Sequence, residues 1–79
     1  MKRVVINKTL TGAKIKDALK NKGISVKELA VIMDISPQNI YRTFEGAYMP
    51  SLKNMVRYSH ALDVTLDELV VTELVEEDD

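Results

Sequence analysis

Ser36, Gln38, Asn39, Tyr41 and Arg42 form one short stretch, with Pro37 among them, whose polar side chains suit hydrogen bonding to nucleobase edges. A carboxamide donates and accepts at once, so Gln38 and Asn39 each match adenine N6 and N7. The forked guanidinium of Arg42 matches guanine O6 and N7. Each such pair discriminates against a wrong base by about 1–3 kcal/mol. On an isolated helix the same residues would only face water, so their use depends on the elements that position them.

Rival chemistry is sparse. His60 is the single histidine and no cysteine is present, so neither a thiolate metal site nor a Cys–His pair can be assembled. Asp67 and Glu68 are adjacent, and adjacent residues on a helix diverge by ~100°. They therefore make a poor acid–base pair, and Glu68 is already needed as a helix cap. The residues carry no catalytic, cofactor or small-molecule site, and the chain reads as a non-enzyme.

Charge is divided along the chain. All eleven Lys and Arg fall in residues 1–57 with four acids, whereas residues 58–79 hold eight acids and no Lys or Arg. The net charge of −1 thus hides a basic body and an acidic end, and only charge within a Debye length of roughly 8–10 Å matters to a phosphate. Seventy-nine residues allow one domain. It is placed at 1–75, followed by an acidic disordered tail at 76–79. Without a long apolar run or a signal-peptide core, the chain is expected to be cytoplasmic and off the membrane.

The elements that must position the polar stretch are short. Thr11 can cap a first helix from about Gly12 to Lys22, with Ile15, Ala18, Leu19 and Lys22 on one face and Gly23 at its end. Ser25 and Glu28 form a capping box for a second helix, about Val26 to Met33, burying Leu29, Ala30 and Met33. Asp34-Ile35 makes the turn. Ser36 then caps a third helix with Pro37 at its first position, where the missing amide costs nothing. Ile40 and Phe44 face inward on it, and Gly46 stops it. Ser51 caps a fourth helix with Leu52, Met55, Val56, Ser59 and Leu62 at core spacing. Thr65 and Glu68 box a short fifth. For Val70 to Val75 two readings stand: Leu66, Leu69, Val70 and Leu74 fit a helix, while the valine-rich run favours a strand pairing with Val4-Val5-Ile6.

Gly23-Ile24-Ser25, Glu28-Leu29-Ala30, Ile35-Ser36, Ile40, Gly46, Pro50-Ser51-Leu52 and the run Ala61 to Leu69 resemble, in register, the helix-turn-helix domain of the Cro and phage-repressor family. The resemblance implies an all-α, compact five-helix fold like that of lambda repressor. To this the terminal segments add a possible two-stranded β-ribbon. It also implies a transcriptional regulator, usually a repressor, that reads a palindromic operator in double-stranded DNA as a homodimer. The motif would occupy about 25–45 and lay the helix at 36–45 in the major groove, with Ser36, Pro37, Gln38, Asn39, Tyr41 and Arg42 at the bases. Phosphate contacts would fall to Ser25, Lys27, Tyr48, Lys53 and the amides opening helices 2 and 4.

Three departures qualify the match. Asp34 stands where the family often has Gly, and Asp tolerates the left-handed region better than most residues. Val26 replaces a polar residue, commonly Gln, that reaches a phosphate. Leu19 and Phe44 replace an Arg–Glu pair together, so they are expected to meet as apolar partners, a swap that is neutral or stabilising by ~1–4 kcal/mol. Val26 and the acidic end leave a second reading in place, a protein-interaction module such as an antitoxin or anti-repressor that keeps the scaffold without reading DNA.

Overall fold

The computed structural model describes residues 1–77. Strand β1 (Lys2–Ile6) is followed by α1 (Lys8–Lys22), α2 (Val26–Met33), α3 (Pro37–Phe44), α4 (Leu52–Leu62), α5 (Leu66–Leu69) and β2 (Thr72–Glu76). The strands pair antiparallel with Val4 opposite Leu74, which settles residues 72–76 as strand. Glu76 thus belongs to β2 rather than to a tail, and Arg3 Nε lies 2.8 Å from Glu77 Oε1. Asp78 and Asp79, the rest of the expected tail, lie outside the described residues.

Local side-chain chemistry sets most helix ends. Ser25, Ser36, Ser51 and Thr65 each accept the amide three residues on, and Glu28 and Glu68 return the bond to complete two capping boxes. Asp34 (φ 54°) and Asp63 (φ 57°) end α2 and α4 in the left-handed region. Aspartate holds the turn at position 34 without a glycine.

Helix α1 differs from the expectation. It begins at Lys8, not after a cap at Thr11, because Asn7 does both jobs at the junction. Its N–H donates to the Val71 carbonyl at 2.8 Å, and its side-chain oxygen accepts the Leu10 amide at 2.9 Å. Thr11 lies inside the helix, fully buried, where its hydroxyl accepts the Val71 N–H at 3.0 Å. The next residue, Gly12, is where α1 crosses the end of α3: a Cβ there would sit 2.1 Å from the Thr43 carbonyl oxygen.

The core gathers Ile15, Ala18 and Leu19 from α1, Leu29, Ala30 and Met33 from α2, and Ile40 from α3. Met55, Tyr58 and Leu62 of α4 and Leu69 of α5 complete it. Lys22 is exposed and leaves the inward face of α1. Helix α4 is rotated from the expected face. Leu52 (74% exposed) and Val56 point outward, and Tyr58 takes the inner position with 0% exposure. The apolar residues at 52, 55, 56 and 62 suit either rotation. The fit of Tyr58 beside Thr43 depends on α3 and leaves no local signal.

Burial pushes the Tyr58 phenol up from its usual 10.0, and the nearby Thr43 hydroxyl pulls the other way without overcoming it. The phenol oxygen has no hydrogen-bond partner among the described residues. Tyr58→Phe is therefore expected to leave stability at pH 7 unchanged or to raise it by about 1 kcal/mol, since it removes a buried hydroxyl that no bond compensates. A raised folded pKa means the unfolded chain loses its proton first. Wild-type stability should thus fall as pH rises above 10, and the Phe variant should lack that part of the fall. Urea midpoints at pH 7 and 10.5 check both halves. A loss above 2 kcal/mol at pH 7 would mean the hydroxyl is bonded.

Candidate nucleic-acid interface

Helix α3 buries Ile40 and Thr43. With ~100° between successive residues, that choice turns Gln38 and Arg42 onto one outward strip, four residues apart, with Tyr41 beside it. All three are exposed, as are Ser36 and Pro37 at the helix start. Among the described residues the ion pairs are Met1–Glu76 and Arg3–Glu77. Arg42, Lys27 and Lys53 are therefore held by no carboxylate, and each is exposed.

Asn39 is placed differently from its neighbours. It sits half-buried on the flank of α3, and its side-chain oxygen accepts the Tyr48 hydroxyl. The same hydroxyl lies 3.3 Å from the Asn39 carbonyl, which also accepts from Thr43 Oγ1 at 3.1 Å. The loop after α3 is thereby tied to the helix. Asn39 keeps its amide N–H groups for a base edge, but its orientation is fixed by Tyr48. Tyr48 in turn spends its one proton on Asn39, so in this arrangement it can only accept and does not donate to a phosphate. Nothing local in the sequence signals this bond.

Ser25 is similarly committed. Its hydroxyl accepts the Glu28 amide at 3.0 Å and lies 3.1 Å from Glu28 Oε1, to which it donates. An anion at this end of α2 would meet a carboxylate as well as the free amides, so Lys27 is the stronger handle there. Ser36 Oγ also caps, accepting the Asn39 amide at 3.1 Å, yet its proton is free. At α4, Ser51 occupies the Asn54 amide at 3.2 Å and leaves the other first-turn amides beside the exposed Lys53.

Val26, the missing phosphate handle, is half-buried and lines a surface groove with Leu19, Ile24, Tyr41 and Phe44. The two replaced charges therefore border one apolar groove between α1 and α3. Leu19 is buried at 5% exposure, but Phe44 is only half-buried, with its ring edge-on to Tyr41 at 6.2 Å. Phe44→Ala should accordingly cost about 1–2 kcal/mol, below the 3–5 kcal/mol of a fully buried ring. Chemical denaturation of the two proteins measures this. A loss of 3 kcal/mol or more would place the ring in the core.

Residues 15–69 match a family model described as helix-turn-helix. No curated protein matches the chain. Among solved structures, the restriction-modification controller protein C.AhdI from Aeromonas hydrophila superposes with a TM-score of 0.72 at 24% identity, over 77% of this chain and 92% of that one. The clp gene regulator ClgR from Corynebacterium glutamicum superposes with a TM-score of 0.75 at 22% identity, over 82% of this chain and 84% of that one. A second ClgR structure gives 0.76 at 22% identity, covering 82% and 69%. At these identities the likeness establishes the fold.

Proposed function

The chain belongs to the helix-turn-helix family, and on that footing we propose that it is a sequence-specific regulator of transcription, a repressor, that binds double-stranded DNA. The observation that carries the reading is the outward strip of α3, where Gln38 and Arg42 stand exposed and Arg42 pairs with no carboxylate among the described residues. Gln38, Tyr41 and Arg42 read base edges, Asn39 reads from the position Tyr48 gives it, and Ser36 with Pro37 brings the helix start close to the groove. Lys27, Lys53 and the free amides of α2 and α4 hold phosphates. The structural neighbours, one named a controller and the other a gene regulator, support the same reading.

One eight-residue helix spans only a few base pairs, too few to single out a site in a genome. The proposal therefore includes a homodimer on a palindromic operator, with half-sites about one turn, ~34 Å, apart. Such a protein works in the cytoplasm. Among the described residues no helix is long and apolar enough to cross a membrane.

Electrophoretic shift with random duplex at two salt concentrations tests the reading. Binding that weakens steeply with salt supports phosphate neutralisation. Lys53→Ala should weaken binding to every sequence alike and flatten the salt slope by about 1 for each copy bound. An unchanged slope would remove Lys53 from the interface. A second reading, a protein-interaction module, is favoured by Val31 at 77% and Ile32 at 60% exposure on α2, beside Lys27. No binding to any duplex at low salt would select it.

A further inference from the structure

The β1–β2 ribbon carries an apolar face that nothing among the described residues covers. The Asn7–Val71 and Glu77–Met1 hydrogen bonds, both 2.8 Å, mark the two ends of the ladder as bonded pairs. Alternation then makes Lys2–Glu76, Val4–Leu74 and Ile6–Thr72 the non-bonded pairs, whose side chains share one face and approach each other closely. On that face Val4 is 66%, Ile6 50% and Leu74 65% exposed, while Val5 and Val75 on the other face are half-buried. The strands pack chiefly on each other. The radius of gyration is 13.4 Å with a longest extent of 46 Å, against about 11.5 Å for a compact chain of this size. A two-stranded ribbon on its own is marginal in water.

Charge selects the occupant. On this face Lys2 and Glu76 cancel, so it offers no net positive charge to DNA or to an anionic membrane. Edge-to-edge pairing of like strands would extend the sheet yet leave Val4, Ile6 and Leu74 facing water. Pairing the β1 edge with the β2 edge of another copy would leave free edges and grow without closing. Face-to-face stacking about a two-fold axis along the strands avoids both problems. It sets Lys2 over the second copy's Glu76, Val4 over its Leu74 and Ile6 over its Thr72, with the sheets ~10 Å apart.

We propose that this ribbon face is the surface through which two copies of the chain pair. The proposal rests on the two-copy reading above and names the surface that joins them. Sedimentation velocity over a concentration series should find a wild-type dimer. Leu74→Glu should raise its dissociation constant at least tenfold while the helical circular dichroism is kept. Leu52→Glu, an equally exposed leucine on α4, should leave it unchanged. Because the chain has no cysteine, a mixture of the single variants Val4→Cys and Leu74→Cys should cross-link between copies with a short bis-maleimide, which spans the ~10 Å between sheets that a direct disulfide does not. A wild-type monomer at high micromolar concentration overturns the proposal. So does a dimer that Leu52→Glu dissociates and Leu74→Glu does not, or an absence of mixed cross-link. Monomeric Leu74→Glu should still shift random duplex at low salt. Loss of all DNA binding in both proteins would sink the DNA reading and leave the dimer result standing.

Discussion

Gly12→Ala is expected to destabilise the domain by about 3 kcal/mol, the upper end of overpacking costs. Helix propensity alone argues for the opposite sign. Ala is favoured over Gly by about 1 kcal/mol in a helix interior, and Gly12 lies within α1. Packing decides the sign, because the new Cβ would stand 2.1 Å from the Thr43 carbonyl oxygen and 3.0 Å from that of Phe44. Both neighbours are backbone at the end of α3 and cannot rotate away. To admit a methyl group, α1 and α3 must separate, opening the core around Ile15 and Ile40. Against the 5–15 kcal/mol of a typical domain, this is a large share. Urea denaturation at 25 °C measures it, and a variant more stable than wild type would show that the two helices are not in contact there.

The second large effect concerns recognition. Arg42→Ala should weaken binding to the preferred operator by about 1–3 kcal/mol per half-site, and Gln38→Ala by a similar amount. In a two-fold complex each loss counts twice, so affinity falls roughly 30-fold or more. Both side chains are exposed, and Arg42 holds no ion pair among the described residues, so the fold should keep its denaturation midpoint. Binding to random duplex should fall far less, because base contacts contribute little there. Anisotropy titrations with both duplexes separate the effects, and equal losses on the two would make Arg42 a phosphate contact.

Features fixed within one turn of chain were legible in the sequence. The caps at Ser25, Ser36, Ser51 and Thr65, the left-handed Asp34 and the Pro37 start depend on neighbours three or four residues away. Features that depend on a distant element were not legible. Asn7 replaced Thr11 as the cap because Thr11 is drawn inward to the Val71 amide. Tyr58 replaced Leu52 on the inner face of α4 because the space beside Thr43 suits a ring. Within the candidate site, the exposed strip of Gln38, Tyr41 and Arg42 follows from helical periodicity alone. The bonds that orient Asn39 and occupy Ser25 and Tyr48 exist only in three dimensions. The six-residue set therefore divides into five exposed residues and one buttressed flank residue. Of the four expected phosphate contacts, Lys27 and Lys53 stand free while two are committed elsewhere.

The central claim is that α3 reads base edges, and selection of bound duplexes from a random pool tests it most directly. The full chain should enrich a two-fold motif whose half-sites lie ~10 bp apart. Repeating the selection with Arg42→Ala should lose the preference at one symmetric pair of positions while the spacing persists. If no motif is enriched, or the same motif returns at equal affinity without Arg42, the helix does not read DNA in this way.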